Sequence, residues 1–349
     1  MIDNSSQWLI QQLQQCPSGN NLWCCDENVL NQIPNAQQWP NKPQFISNRW
    51  DIAQQAIQLG FNSEFNDFDL SAIADDRIDH FFYRISKEKI VTHHLINQAF
   101  RVLKPQGTLW ICGQKNEGIK TYIEKACALF GMQKSIQKNG ANYFSNIQKL
   151  AMTNQPLDDY DYSQLRACLT INEQEIYSKP GQFGWNKIDQ GSDFLIAEIN
   201  QQLAAQTLPI ASALDLGCGY GFLSIASSHL PIQQRVLTDN NAAALISARH
   251  NCAQLGLSAE IIASDAGQQL TSQFELILCN PPFHQGFSVD GDLTDKFLRS
   301  AKQLLAKQGV AYFVVNQFIP LEKKALVHFK IVKVLAQNKS FKIVELRHN

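Results

Sequence analysis

Residues 280–284 read Asn-Pro-Pro-Phe-His and follow an apolar run, Phe274 to Cys279. An amide, two prolines and an aromatic ring in that order suit chemistry on the exocyclic amino group of a base. Such a nitrogen is a poor nucleophile because its lone pair is delocalised into the ring. The Asn280 side-chain carbonyl and the Pro281 backbone carbonyl could accept its two N–H bonds, fix it against a methyl carbon and stabilise the positive charge that grows there. Pro281 and Pro282 keep the turn stiff, and Phe283 offers a face on which a flipped base can stack. The alternative is a strand-ending turn with no chemical duty. His284 could touch the base or serve only as surface, and it is given no acid–base role.

Upstream, Leu214-Asp-Leu-Gly-Cys-Gly-Tyr-Gly221 stands where a first strand should turn into a first helix. Gly217, Gly219 and Gly221 permit a sharp turn and close approach of a nucleotide-like ligand to backbone amides; a purely structural turn would look the same. Asp239 ends the next strand about 20 residues later, where a carboxylate can accept ribose hydroxyls, or else cap the following helix. Asp265 ends the third strand, where it can meet an adenine amino group while a neighbouring amide, at Ala266, reads the ring; a solvated loop acid is the other reading. Asp215 could brace the glycine loop or face a ligand's ammonium group. Three acids at successive strand ends favour a cationic adenosyl cofactor over a dinucleotide, whose pyrophosphate they would repel.

These residues need a parallel sheet to converge, and the pattern after residue 210 supplies one. Short apolar runs predict strands at Ala213–Leu216, Arg235–Thr238, Glu260–Ala263, Phe274–Cys279 and Val310–Val315, with helices at Asn241–Leu255 and Thr294–Lys307 between them. Ile331–Ala336 and Phe341–Leu346, joined by a short polar link, predict a closing antiparallel pair. The first 150 residues repeat the plan. Ile96 to Gly107 followed by Thr108–Cys112 matches Leu298 to Gly309 followed by Val310–Val314, each predicting a helix that ends at a glycine before an apolar strand. Gln133–Gln137 and Tyr143–Ile147 answer to the closing pair. The expected fold is therefore α/β, two tandem Rossmann-like domains from an internal duplication. The expected boundaries are 1–153 for the first domain, 154–190 for a linker and 191–349 for the catalytic domain. Pro180 to Ser192 is expected to lead into a helix at Phe194–Leu203 and to shape a wall of the second domain's cleft.

The first copy lacks the chemistry. Where the glycine motif belongs it reads Asp26-Glu27-Asn28, and where Asn-Pro-Pro belongs it reads Arg84-Ile85-Ser86. Between Arg84 and Lys149 lie eleven Lys or Arg residues against three acids, after an acidic stretch from Glu64 to Asp79 with six. Arg84, Lys87, Lys89, Lys115 and Lys120 are the expected phosphate contacts of an RNA platform; a solvated helical face is the alternative. From Leu321 onward the second copy is also basic, seven against two, a possible far bank of an RNA groove.

Composition bounds the rest. The 349 residues exceed one usual core, 44% hydrophobic and 17% charged residues exclude a disordered chain, and a net charge of −1 excludes a uniformly basic nucleic-acid binder. The first thirty residues hold no signal-peptide pattern and no run is long enough to cross a bilayer, so a cytoplasmic protein with no membrane partner is expected. Nine cysteines without a C-x-x-C pair predict reduced, buried thiols. Cys218 needs only to be small, and His93-His94 has no ligand at metal spacing, so no metal site is expected.

On Asp215 to Gly221 together with Asn280 to His284, the chain resembles the class I S-adenosylmethionine-dependent methyltransferases that modify amino nitrogens. More closely, it is similar to the bacterial ribosomal RNA small subunit methyltransferase C family, through Pro180-Gly-Gln-Phe183, Asp189-Gln-Gly-Ser192, Asn316-Gln-Phe-Ile-Pro320 and Arg84-Ile-Ser-Lys-Glu-Lys89. The resemblance implies S-adenosylmethionine held by Gly217, Gly219, Asp239 and Asp265, and a guanine of 16S rRNA methylated on N2 at Asn280 to Phe283. It implies 16S rRNA or the small ribosomal subunit as partner, and a monomer is expected because the duplicated half can replace a dimer mate. Three rivals stand beside it: a large-subunit guanine-N2 methyltransferase, a protein glutamine methyltransferase and a non-catalytic RNA-binding assembly factor.

Overall fold

The computed structural model of the chain describes residues 3–349 apart from 38, 40, 172, 204–208, 283, 286–287 and 290, and side-chain environments outside 283–292. The chain forms two compact units, Met1–Gln164 and Leu165–Asn349. The first contains α1 (Asn4–Gln14), β1 (Asn21–Cys25), β2 (Gln44–Ser47), α2 (Trp50–Gln58), β3 (Asn62–Phe65), β4 (Ile78–Arg84), α3 (Lys89–Val102), β5 (Leu103–Gln114), α4 (Ile119–Phe130), β6 (Gln137–Asn139) and β7 (Asn142–Gln148). Its sheet runs β3-β2-β1-β4-β5-β7-β6, parallel except at β7 and β6. Strand side chains alternate between faces. Leu22 and Cys24 join one apolar cluster with Phe81 and Leu95, whereas Trp23 and Cys25 join the other with Leu9 and Phe82. With both faces covered, β1 carries an unbroken apolar run and not an alternating one.

The second unit contains β8 (Arg166–Ile171), β9 (Gln174–Ser178), α5 (Gln190–Leu203), β10 (Ile210–Leu216), α6 (Phe222–Ala226), β11 (Ile232–Asp239), α7 (Ala242–Gln254), β12 (Glu260–Ala263), β13 (Phe274–Cys279), β14 (His284–Gln285), β15 (Ser288–Val289), α8 (Gly291–Leu304), β16 (Leu305–Asn316), α9 (Leu321–Ala325), β17 (Ile331–Gln337) and β18 (Phe341–Arg347). Its main sheet, β12-β11-β10-β13-β16-β18-β17, repeats the first strand for strand.

The segment expected as a linker is divided between the units. Leu157 packs on the first core and the buried Tyr162 hydroxyl donates to Asp67 at 2.6 Å, while Ile171 and Ile176 enter the second core. The β8–β9 hairpin is clipped to α7 by Asn251, whose Oδ1 accepts from the Tyr177 N–H at 2.8 Å and whose Nδ2 donates to the Tyr177 carbonyl at 2.9 Å. Anchors this widely spaced leave no period in the sequence.

The matched glycines do not end helices. α3 stops at Val102 and α8 at Leu304, strands begin at the next residue, and Gly107 and Gly309 lie inside β5 and β16 beside a register shift in the neighbouring strand. A Cβ at Gly107 would stand 2.9 Å from the Lys104 carbonyl oxygen, and one at Gly309 2.9 Å from the carbonyl oxygens of Phe274 and Glu275. Each copy therefore needs glycine at the same bulge, because the neighbouring backbone occupies the space of a side chain. The strand expected at Gln133–Gln137 is also displaced, to Gln137–Asn139.

At the carboxyl ends of the first sheet, side chains fill the space. Arg84, expected on the RNA surface, is 3% exposed and donates to Asp3 at 3.0 Å, Glu117 at 2.7 Å and the Ile85 carbonyl at 2.7 Å. Burial works against an ionised Asp3, but the Arg84 hydrogen bond and charge outweigh it and hold the carboxyl below its usual range. Asp26, at the end of β1, accepts from the Ser86 hydroxyl at 2.6 Å and the Asn28 N–H at 3.0 Å, and burial with the nearby Glu27 charge pushes its pKa up. Arg84 thus neutralises two carboxylates under α1 and cannot reach a phosphate. Replacing it with Met should destabilise the protein by about 3–5 kcal/mol, since the Glu117 carboxylate and the part-buried Asp3 lose their cation. Urea unfolding checks this, and a wild-type midpoint would show the guanidinium to be dispensable.

Candidate active site

In the second unit β10, β11, β12 and β13 end side by side, and the expected residues follow those ends. Between β10 and α6 the N–H groups of Gly217 and Cys218 donate to the Thr238 carbonyl at 2.9 and 2.8 Å, folding the turn back over β11. Gly217, Gly219 and Gly221 take φ of 81°, 56° and 92°, the left-handed region. A Cβ on Gly217 would come 3.2 Å from the Phe297 ring, whereas one on Gly219 would meet nothing within 4 Å. The backbone at Gly219 is therefore the part of the turn that a ligand can approach.

The acids differ in what they already hold. Asp239 accepts from the Gly219 N–H at 2.9 Å and, through its other oxygen, from the Asn241 N–H at 2.8 Å; the helix cap is Asn241, which accepts from Ala243 and Ala244. Asp239 thus ties the glycine turn to the end of β11, and its oxygens keep further lone pairs for a ligand's hydroxyls. Asp215 is buried. One of its oxygens accepts from the N–H and hydroxyl of Ser224 at 3.1 and 2.9 Å, and Oδ1 has no hydrogen-bond partner among the described residues. Burial pushes its pKa up to about 7, against the Ser224 hydrogen bonds, with the Asp239 charge adding to the rise. Asp265 is ion-paired with Lys296 of α8, and its N–H donates to Gln269 at 3.0 Å. Ala266 is buried with φ of 50°.

Asn280 lies immediately after β13, beside the glycine turn because β13 pairs with β10. Its Nδ2 donates to Asp189 Oδ2 at 2.7 Å and to Ser192 Oγ at 2.9 Å. Asp189 precedes α5 and caps it, accepting from the Ser192 N–H at 3.0 Å. With the nitrogen end committed to Asp189 and Ser192, the carbonyl is the end turned away from them. Pro281 is buried and Pro282 exposed, while Phe283 lies outside the described residues. The Pro180–Ser192 segment is fastened to the start of α7, where Gln182 donates to Ser247 at 2.6 Å and Asn241 to the Gly181 carbonyl at 2.8 Å.

Asp189, Ser192, Ser224 and Lys296 were not singled out as site residues. Asp189 and Ser192 stand at N-cap spacing, a signal for the start of a helix but not for contact with a residue 91 positions away. Elsewhere in the second unit, Cys218 and Cys279 are buried thiols whose pKa burial pushes up, so neither is a nucleophile. Among the described residues no group of three or more His, Cys, Asp or Glu could hold a metal ion, and no helix is long and apolar enough to cross a membrane.

Charge on the first unit sorts by sheet end. Arg101, Lys104 and Lys149 pair with Asp75, Asp79 and Asp76 where β4 and β5 begin, so the acidic stretch consumes part of the basic excess. Lys87, Lys89, Lys115 and Lys120 are exposed where β4 and β5 end, with Lys120 over the Tyr143 ring at 4.7 Å.

The raised pKa of Asp215 predicts a pH signature. A carboxyl that holds its proton more tightly folded than unfolded stabilises the fold most below the unfolded value of about 4, and this contribution is lost as pH rises to about 7. Urea midpoints of the wild type should fall over that window relative to Asp215→Asn, whose side chain does not ionise; parallel profiles would contradict the assignment.

Residues 173–345 match the methyltransferase small domain family. Proteins named ribosomal RNA small subunit methyltransferase C are similar over most of the chain. The one from Haemophilus influenzae is 26% identical over 324 residues, 92% of this chain and 90% of that protein. The one from Actinobacillus succinogenes is 28% identical over 277 residues, 79% and 80% of the two chains. The solved structure of a T. thermophilus 16S rRNA N2 G1207 methyltransferase in complex with AdoMet and guanosine superposes with a TM-score of 0.82 at 20% identity, covering 98% of this chain and 92% of that one. That likeness establishes the fold of both units in their chain order. With the sequence matches spanning both units, the chain is similar over most of its length to the ribosomal RNA small subunit methyltransferase C proteins, and its second unit carries the match to the methyltransferase small domain.

Proposed function

We propose that the second unit transfers a methyl group from S-adenosylmethionine to the exocyclic N2 of a guanine in 16S rRNA, the position matching G1207 of the T. thermophilus relative, in the small ribosomal subunit. The observation that carries the reading is the Asn280 amide, held by its nitrogen end beside the glycine turn. The site also fits the cofactor: Gly219 offers approachable backbone, and Asp215 Oδ1 is a buried carboxyl oxygen without a partner among the described residues. Gly217, Gly219 and Gly221 would form the turn around it, Asp215 would face its ammonium, Asp239 its ribose, and Asp265 with Ala266 its adenine. Asp265 would have to share or release Lys296 to do so. When bound, S-adenosylmethionine supplies a methyl group already activated by its sulfonium.

The protein's part is then positioning and polarisation. The Asn280 carbonyl and the Pro281 backbone carbonyl accept the two amino N–H bonds, aim the nitrogen lone pair and stabilise its growing charge, after which a proton leaves to solvent. Pro281 and Pro282 hold the turn and Phe283 stacks the flipped base. The first unit serves as an RNA platform through Lys87, Lys89, Lys115 and Lys120. The protein acts in the cytoplasm, as a monomer and without a membrane partner.

Labelled methyl transfer to unmodified small subunits, large subunits and naked 16S rRNA, followed by nucleoside analysis, tests this. N2-methylguanosine arising only from small-subunit material is expected, and cofactor binding without transfer to any RNA would overturn the substrate. Asn280→Ala should abolish transfer while cofactor affinity stays near wild type; unchanged turnover would remove the polarisation step. Lys115→Ala with Lys120→Ala should weaken RNA binding and lower its salt slope by about one for each phosphate no longer neutralised, whatever the RNA sequence.

A further inference from the structure

We infer that Asp189 is a positioning residue: with Ser192, it decides which end of the Asn280 amide faces the substrate. The inference rests on the amino-group chemistry proposed above and concerns how the chain guarantees it. A side-chain amide has a donor end and an acceptor end of almost equal size, and rotation by half a turn exchanges them with little change in packing. A donor end facing the substrate would set N–H against N–H and polarise nothing.

Asp189 removes that freedom. Its carboxylate accepts only, so it is satisfied by the Asn280 nitrogen at 2.7 Å and would be repelled by the oxygen, while Ser192 Oγ takes the second N–H at 2.9 Å. Asp189 is itself held at its side chain and at its backbone. The Ser192 N–H donates to it at 3.0 Å, the Asp193 N–H holds the Asp189 carbonyl at 3.0 Å, and Gly191 leaves room. A Cβ at Gly191 would lie 3.0 Å from Asp189 Oδ2 and 3.1 Å from the Phe341 ring. The hydrogen bond to an anion also draws electron density toward the amide oxygen, which makes that carbonyl a better acceptor. Asp189 therefore serves methyl transfer through Asn280, without touching the base.

The test uses the full chain with S-adenosylmethionine and small subunits. Asp189→Ala should lower kcat roughly 10- to 100-fold, with KM and cofactor affinity nearly unchanged. Asp189→Asn, which keeps an acceptor oxygen for both N–H donors, should recover part of the loss. Ser192→Ala leaves the helix cap in place and should lower kcat without lowering the melting temperature; wild-type kcat in that variant would overturn the share given to Ser192. Independently of turnover, the Asn280 side-chain amide protons should exchange slowly in the ligand-free wild type and fast in Asp189→Ala. Wild-type kcat in Asp189→Ala, or equal exchange rates, would overturn the inference alone. Full turnover by Asn280→Ala would overturn the proposed function and the inference together.

Discussion

The proposed methyl transfer asks for an amide that accepts on one side, and at Asn280 the second unit grips the amide on the other. The grip comes from Asp189 and Ser192 at the start of α5, a helix seated on the sheet by Leu195 and Ile199 in the same apolar cluster as Tyr312, Val314 and Ile343. The position of Asn280 comes from β13, whose pairing with β10 brings its end beside the glycine turn. Asp239 then ties that turn to β11 through Gly219. The sheet order is therefore what makes one polar residue useful, since each neighbouring strand end delivers a different part of the constellation.

The first unit shows the same sheet put to another use. At corresponding strand ends, Arg84 bridges Asp3 and Glu117 and Asp26 binds Ser86, so these polar side chains satisfy one another where the second unit leaves Asp215 Oδ1 without a partner among the described residues. A buried guanidinium between two carboxylates is costly to disturb, which commits that end of the sheet to structure. The cations left exposed there, Lys87, Lys89, Lys115 and Lys120, suit contact with phosphates because they are not consumed by the acidic stretch, whose partners lie at the opposite ends of the strands.

Much of the fold was legible because its signals are local. The apolar runs of β12 and β13 were read to the residue, and α7 to within one residue at each end. The duplication showed in the matched helix–strand segments, although their glycines were read as helix ends and proved to be bulge positions. That error has a clear origin: glycine is demanded by backbone carbonyl oxygens, those of Phe274 and Glu275 on the neighbouring strand at Gly309 and that of Lys104 at Gly107, and no pattern of residue types records them. The hairpin Arg166–Ser178 was read as linker for the same reason, its anchor being Asn251 on α7.

By itself the sequence determined the α/β class, the repeated plan, the glycine turn and the Asn-Pro-Pro turn, because each is written in residue types at short, fixed spacing. Only the tertiary structure decided the pairings: Asp189 with Asn280, Lys296 with Asp265, Arg84 with Asp3 and Glu117. Whether a charged side chain meets solvent, a ligand or an opposite charge depends on groups tens of residues away, and Coulomb and hydrogen-bond energies act through space over a few ångströms. For that reason Arg84 and Lys115 look alike in the chain and have opposite fates in the fold.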